Sequence, residues 1–255
     1  MVIRPITYLV TFSLLLSVLA RAQDINAMLN DARQLEASFK EPEALNKYMD
    51  VLRMQPGNFA ALCKASELHS LLGKRQPTKE KQKAYFKSAK SYAQQALRLN
   101  AASAEANFVM ALAMGRMAII SSGEEKINAV KDIRSYAEKC VSIDPLNYKG
   151  YHILGRWHYE VSDLSSLEKW LVKVAYGSLP PASLKDAIAY YEKSRQLNSS
   201  LLINYLELAK CYHRKEEDKK AIDYLHQLLK LPNVLVDDPT VKAEARALLK
   251  KWQGG

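Results

Sequence analysis

Residues 202–235 read LINYLELAKCYHRKEEDKKAIDYLHQLLKLPNVL, and the pattern of this stretch decides the fold. Its first half spaces aromatic and small residues as one face of a helix requires: Tyr205, Leu208, Ala209 and Tyr212. Its second half carries an alanine and a large apolar residue four positions apart and ends on a proline, which cannot donate a helical hydrogen bond: Ala221, Leu225 and Pro232. The stretch therefore predicts two helices joined by a short polar turn.

The same pattern recurs four times towards the N-terminus. In the unit before it, Tyr151, Leu154 and Gly155 fill the first helix, and Ala187 and Tyr191 fill the second. The three earlier units are identified by these residues: Asn107, Met110, Ala111 and Met114; Leu62, Ala65, Ser66 and His69 with Ala89, Ala93 and Ala96; and Ala44, Tyr48 and Pro56. The first unit, 25–58, and the last have the same length. The three between them are longer, and we expect the extra residues to lie between the two helices of each pair.

This period, with its aromatic, small and proline positions, is typical of the tetratricopeptide repeat. Small residues let the two helices of a pair approach closely, and tyrosines fill the space between pairs. No pair buries its apolar face alone, so neighbouring pairs must stack and share one core. We therefore predict an all-α, tetratricopeptide-like α-solenoid of about five helix pairs, with a capping helix from about Pro239 to Trp252. A generic helical bundle is the alternative, and five units in phase argue against it.

Residues 1–22 have the composition of a cleaved signal peptide. Arg4 precedes an uncharged, mostly apolar run from Ile6 to Ala20, and the segment Ala20–Ala22 fits the small-x-small cleavage signal. The run is shorter than the roughly 20 residues that span a bilayer comfortably, although a retained membrane anchor is the alternative. We therefore expect residues 23–255 to form a single exported domain, in the periplasm or otherwise secreted.

The chain is basic, with a formal net charge of +10. Residues 1–22 contain Arg4, Arg21 and no acidic residue, so their removal leaves +10 − 2 = +8. In an exported protein this balance favours an acidic protein or peptide partner, or an anionic membrane surface, over nucleic acid. The alternative is that the charge serves solubility alone.

The sequence contains no pattern typical of an enzyme or of a metal site. Cys63, Cys140 and Cys211 lack zinc-ligand spacing and lie in apolar helical patterns, so we expect buried free thiols, with a disulfide as the alternative. The five histidines form no HExxH, and there is neither a Gly-rich phosphate loop nor a GxSxG elbow. We therefore predict a non-enzymatic protein without cofactor or metal.

One segment is more specific than the repeat requires. It contains Gly155-Arg156-Trp157 and, further on, the segment Leu179–Leu184, which reads LPPASL. In these motifs, and over roughly residues 100–250, the chain resembles the regulator of microtubule dynamics family. The resemblance implies an all-helical adaptor or tether without catalysis as its defining activity. Animal members are associated with microtubules and organelle membranes, whereas a cleaved signal implies an exported, bacterial relative with no access to tubulin.

The first helices of such solenoids line the concave face, and one stripe of each points into the groove. Repeat phasing places a mixture of cationic and apolar residues on that stripe: Phe108, Leu112, Arg116, Lys149, His152, Arg156, Tyr159, Leu206, Lys210, His213 and Arg214. We predict that these residues hold an acidic protein or peptide. An anionic lipid is the alternative ligand, and an unused, solvated groove is the third interpretation.

A predicted insert at residues 163–178 carries apolar residues at helical spacing: Leu164, Leu167, Trp170, Leu171, Val174 and Tyr176. We expect this inserted helix to pack on the edge of the solenoid. It could instead close over the groove as a lid, or lie on a membrane with Lys169 and Lys173 on its polar side.

Overall fold

A computed structural model of the chain describes residues 24–253, which contain helices and no strand. The helices are α1 (24–37), α2 (Glu41–Met54), α3 (Phe59–Lys74), α4 (Lys79–Leu99), α5 (Ala104–Ile120), α6 (Gly123–Ile143), α7 (Tyr148–Ser162), α8 (Ser166–Tyr176), α9 (Leu184–Leu197), α10 (Leu202–Arg214), α11 (Asp218–Lys230) and α12 (Asp238–Gln253). No helix within 24–253 is both long and apolar enough to cross a bilayer. The predicted signal peptide lies outside the described residues.

The helices stack as successive pairs. After α1 and α2, the chain pairs α3 with α4, α5 with α6, α7 with α9, and α10 with α11, while α12 packs on both α10 and α11. Each first helix of the second to fourth pairs begins at a side-chain cap, in which Asn58, Ser103 or Asn147 accepts a hydrogen bond from the third backbone N–H. The predicted all-α solenoid of five pairs with a capping helix is confirmed.

Small residues lie where helices approach most closely. Ala65, Ala89 and Ala93 are fully buried between α3 and α4, and the Ser66 hydroxyl donates to the Ala89 carbonyl at 2.9 Å. Gly155 lies against the ring of Tyr191, so that a Cβ there would approach the ring to 2.7 Å. The tyrosine ring thus occupies the space that any larger residue at position 155 would need.

The extra residues of the second and third pairs do not form long linkers, and that expectation was wrong. The linker before α4 is only residues 75–78, and the linker before α6 is residues 121–122. Instead α4 and α6 are each 21 residues long. The added segments are rich in Lys, Glu and Ala, which favour helix, so they extend the second helix of the pair.

In the fourth pair the extra residues do form an insert between the helices, which contains α8. No residue of α8 is buried. This helix lies mainly against α6, and Lys169 also donates to the Ser162 carbonyl at the end of α7 at 3.4 Å. Leu167, Trp170, Leu171 and Val174 are 64, 57, 51 and 67% exposed. The expectation that this apolar face packs on the solenoid is therefore wrong, because its side chains remain exposed and Lys131 of α6 binds α8 at the Tyr176 carbonyl.

Ion pairs connect the second helix pair to the C-terminal segment. Arg75, directly after α3, binds Glu41 at the start of α2 and also donates from Nε to Oδ1 of Asp237 at 2.7 Å. Lys74 Nζ lies 3.6 Å from the other carboxylate oxygen of Asp237. The residues just before α12 are thus held against the end of α3, far away along the chain.

The three cysteines are buried and free, as expected. Burial is the main cause that raises the pKa of each thiol to about 12. At neutral pH all three side chains are therefore uncharged packing groups of the core.

Candidate binding surface on the first helices

The first helices of the pairs lie side by side: α3 contacts α5, α5 contacts α7, α7 contacts α10, and α10 contacts α12. The eleven residues predicted to bind a ligand lie on three of them, α5, α7 and α10. Their surroundings decide which of them remain available to a ligand.

Two of the eleven are core residues. Phe108 is 5% exposed and Leu206 is fully buried. The ring of Phe108 is covered by Lys149, whose Nζ lies 4.7 Å from the ring centroid. Assigning these two residues to the groove was wrong, because the close approach of neighbouring first helices turns part of the stripe into core.

Lys149 is neutralised within the protein. Its Nζ donates to Oε1 of Glu67 on α3 at 2.6 Å, and the second oxygen of Glu67 accepts from Lys64 at 3.2 Å. Lys64 also binds Glu36 on α1 at 2.9 Å. Although burial opposes ionisation, Lys149 and Lys64 lower the pKa of Glu67 to about 2. Lys149 is thus part of a closed charge network that offers little to an acidic ligand.

Two cations of the predicted groove on α10 are also paired. Lys210 Nζ lies 2.8 Å from Glu244 on α12 and 3.3 Å from Glu207 on its own helix. Arg214 Nε lies 3.2 Å from Asp163, just after α7. These contacts tie α10 to its neighbours, which gives the two cations a structural role.

Tyr159 and His213, two further residues of the predicted groove, also contact other parts of the protein. Arg214 donates to the Tyr159 carbonyl at 2.9 Å and lies over the Tyr159 ring. His213 Nδ1 lies 2.6 Å from Asp218, and its ring stacks on Trp252 of the capping helix. The sequence could not reveal these pairings, because the partners come from other helices.

Arg116 and Arg156 differ from the other cations. The Nε atom of Arg116 is buried and has no hydrogen-bond partner among the described residues. Burial, together with the neighbouring Arg156, lowers the pKa of Arg116 to about 10. Arg156 is exposed, and its Nε lies 3.8 Å from Glu160 one turn on, a weak surface pair. The two arginines therefore concentrate positive charge that nearby carboxylates compensate only weakly.

Both arginines line a cavity of about 360 Å³ between α5, α6 and α7. Four of the eleven predicted residues meet there: Leu112, Arg116, His152 and Arg156. The rest of the wall is mainly apolar and includes Ile119, Val130, Ile133, Ile153, Trp157 and Val161. An apolar cavity with a few convergent polar groups is the usual form of a ligand site.

His152 supports the cavity from the side of α10. Its Nδ1 lies 2.6 Å from Oδ1 of Asn204, and Asn204 in turn donates to the Ser194 hydroxyl at 2.6 Å. Burial lowers the pKa of His152, which keeps the ring neutral. His152 therefore joins α7 to α9 and α10 and adds no positive charge to the cavity.

Trp157 is one of several wall residues that the sequence did not predict. Its indole N–H donates to the Val130 carbonyl on α6 at 2.7 Å, and Arg134 lies over its ring. The Gly155-Arg156-Trp157 motif was the available signal. That motif carries the family resemblance, but its spacing alone does not connect Trp157 with the cavity beside Arg156.

Within residues 24–253, no group of three or more His, Cys, Asp or Glu side chains is arranged to hold a metal ion.

Two solved structures, one of them a tetratricopeptide-repeat protein, share the overall architecture. A thermophilic tetratricopeptide-repeat protein of Thermus thermophilus superposes with a TM-score of 0.66 at 13% identity, over 88% of this chain and 99% of that one. The pilF protein of Pseudomonas aeruginosa superposes with a TM-score of 0.55 at 13% identity, over 92% and 95%. At such low identity these similarities establish the fold alone.

Sequence comparison gives a more specific result. The chain is 28% identical over 128 residues to regulator of microtubule dynamics protein 1 of Caenorhabditis elegans, which is 50% of this chain and 57% of that protein. It is 26% identical over 167 residues to regulator of microtubule dynamics protein 3 of Rattus norvegicus, which is 65% of this chain and 36% of that protein. The chain thus spans less than two thirds of these relatives. The family model for regulator of microtubule dynamics proteins 1–3 matches residues 28–253, and the chain therefore belongs to that family.

Proposed function

We propose that the protein is a non-catalytic scaffold that holds an acidic segment of a protein partner at the cavity between α5 and α7. The tetratricopeptide fold and the family assignment support a protein-binding scaffold as the general role. The single observation that carries the specific proposal is the buried Arg116 Nε, which has no partner among residues 24–253. A buried polar group without a partner costs free energy that a ligand can recover.

A carboxylate is the group that best complements this site. It would accept from Arg116 and Arg156 through charge-assisted hydrogen bonds, which are about twice as strong as neutral ones. The apolar wall beside the arginines would take a neighbouring aliphatic or aromatic side chain of the ligand. The expected motif is therefore an Asp or Glu next to a large apolar residue.

A fluorescent peptide library tests this proposal. Each peptide carries Asp or Glu beside Leu, Ile or Phe, and a matched library carries Asn or Gln in place of the acid. We expect Arg116→Gln to weaken binding of the acidic peptides by about tenfold or more, because a hydrogen bond to a charged group contributes about 1.5–3 kcal/mol.

Arg246→Gln is the matched control, since Arg246 is exposed on α12, away from the cavity. It should bind the peptides as the wild type does. Equal affinity for the acidic and amide libraries would contradict the proposal.

A second candidate function uses the same cavity, whose mainly apolar wall would also accept an anionic amphiphile. Native mass spectrometry of the purified protein distinguishes the two. A bound acyl-chain compound that is lost in Arg116→Gln would favour the amphiphile, and an empty protein that binds acidic peptides would favour the scaffold.

We also propose that the protein is exported. The support is the composition of residues 1–22, and N-terminal sequencing of the purified protein would test it by finding Gln23 as the first residue. The relatives named above are animal proteins, so they lend no support to the periplasm as the compartment.

A further inference from the structure

Helix α8 presents an apolar face that no described part of the chain covers. Leu167, Trp170, Leu171 and Val174 project from it at 51–67% exposure. They recur at intervals of three and four residues and so form one stripe along the helix. A contiguous exposed apolar patch of this kind usually marks an interaction site.

The helix is fixed in this exposed arrangement. Ser165 and Glu168 form a capping box at its N-terminus, in which the Ser165 hydroxyl accepts from the Glu168 N–H at 3.2 Å and the Glu168 carboxylate accepts from the Ser165 N–H at 2.8 Å. At the other end, Lys131 of α6 donates to the Tyr176 carbonyl at 2.9 Å. The capping box stabilises the helix itself. The contact of Lys131 with Tyr176, and a hydrogen bond of 3.4 Å from the Lys169 ammonium to the Ser162 carbonyl at the end of α7, tie the two ends of α8 to the solenoid.

Positive charge borders the stripe on the Trp170 side. Lys169 and Lys173 are four residues apart and thus lie on the same side of the helix. Lys173 borders the stripe beside Trp170, and Lys169 lies further round towards the polar side. Neither lysine has a carboxylate within 4 Å among residues 24–253. The acid of this helix, Glu168, is occupied in the capping box. The helix thus combines an apolar stripe and a tryptophan with uncompensated lysines, which is the arrangement of helices that lie at an anionic lipid surface.

We propose that α8 docks the protein on an anionic lipid bilayer, with its apolar stripe at the headgroup boundary and its lysines among the lipid phosphates. This contact is separate from the proposed peptide site. A second copy of the chain fits the observations less well. A stable protein interface takes about 20–30 residues a side, whereas the stripe offers four large side chains and unpaired positive charge at its border.

Quenching of tryptophan fluorescence by lipids with brominated acyl chains tests the docking directly. The full chain is titrated with vesicles of brominated phosphatidylcholine, either alone or with anionic phosphatidylglycerol. We expect quenching that is strengthened on the order of tenfold by the anionic lipid and reduced by salt. Quenching should be lost in Trp170→Phe and retained in Trp252→Phe, since Trp252 lies on α12.

Val174→Glu and Leu146→Glu form a matched pair, because both replace an exposed apolar residue by the same acid, and Leu146 is 72% exposed between α6 and α7. We expect Val174→Glu to weaken vesicle affinity about tenfold and Leu146→Glu to leave it unchanged. Equal quenching in both variants, or no quenching in the wild type, would overturn the proposal. A concentration-dependent dimer in sedimentation that Val174→Glu abolishes would also overturn it and assign the stripe to a second copy.

Discussion

At the scale of single residues, the contact between Gly155 and Tyr191 controls how closely α7 and α9 approach. Tyr191 is fully buried, and its ring occupies the position that a Cβ on residue 155 would need. The ring cannot move aside without disturbing the core around it, since packed cores tolerate an added methyl group poorly.

We therefore expect Gly155→Ala to lower the free energy of unfolding. Overpacking costs about 1–3 kcal/mol, which exceeds the roughly 1 kcal/mol that alanine gains over glycine in a helix. Urea denaturation followed by circular dichroism measures the change.

Gly115→Ala is the matched control. Gly115 lies within α5, and apart from its chain neighbours and the backbone of its own helix no atom lies within 4 Å of the position that a Cβ would take there. This substitution should stabilise the protein by about 0.5–1 kcal/mol. If both variants changed stability in the same direction, the ring of Tyr191 would not be the obstacle that the structure indicates.

The packing residues could be predicted from the sequence, whereas the charge partners could not. Small residues at 65, 111, 155 and 209 could be identified because they occupy the equivalent position of the first helix in successive repeats, where each first helix packs on the second helix of its pair. Arg116 was identified as a cation of the groove, but nothing in the sequence distinguished it from Lys149. Lys149 finds Glu67 on another pair, 82 positions away, while Arg116 finds no acid for its Nε. Ion pairs between distant helix pairs depend on the curvature of the solenoid, which repeat spacing alone does not specify.

At the scale of helices, Glu67 joins three first helices. It lies on α3, binds Lys149 of α7 directly, and reaches Glu36 of α1 through Lys64. Because the two lysines hold its folded-state pKa at about 2, below the value of about 4.3 in an unfolded chain, ionisation of Glu67 is coupled to folding.

The sign of the pH dependence follows from that depressed pKa. The contribution of ionised Glu67 to the free energy of unfolding is complete above about pH 4.3 and is lost as the pH falls towards 2. At neutral pH this contribution amounts to about 2–3 kcal/mol. We expect the wild type to lose stability over this interval and Glu67→Gln to be less stable at pH 7 but to show a flatter profile in acid. Urea midpoints at pH 7, 4.5 and 3 measure both effects.

Glu80→Gln, an exposed substitution on α4, is the control and should follow the wild-type profile. If the urea midpoints of the wild type and Glu67→Gln fell in parallel with pH, protonation of Glu67 would not be the cause of the loss of stability in acid.

Helix lengths illustrate how a repeat pattern can mislead. The second and third units are longer than the first, as the sequence pattern indicated. Their extra residues, however, form additional turns of α4 and α6 and not linkers between helices. The insert of the fourth unit did become a separate helix, because Ser165 begins a new helix after the break and Gly177 ends it with a φ of 76°. Caps and glycines were therefore better guides to these boundaries than unit length.

At the scale of the whole molecule, the contact of Arg75 with Asp237 limits how far the solenoid can open. A repeat array normally makes contacts between neighbours only, so this link between the second pair and the start of α12 is an additional restraint. The ion pair lies at the surface, with both side chains 27% exposed. We therefore expect its loss to loosen the segment before α12 more than it lowers the global free energy of unfolding.

We predict that Arg75→Ala increases amide hydrogen exchange in residues 231–240, by severalfold, with a small change in the unfolding midpoint. Exchange followed by mass spectrometry makes this measurement. Arg53→Ala, which removes an exposed pair with Asp50 within one helix, is the control and should leave 231–240 unchanged. The same protection in Arg75→Ala as in the wild type would mean that the C-terminal segment is held by packing on α10 and α11 alone.

The buried thiols have a consequence for where the molecule can work. Burial raises the pKa of each thiol to about 12, so at neutral pH the three sulfurs offer almost no thiolate for oxidants or mixed-disulfide donors to attack. The fold also requires no cross-link to hold it together. The native protein should therefore keep one covalent form whether glutathione around it is mainly reduced or mainly oxidised.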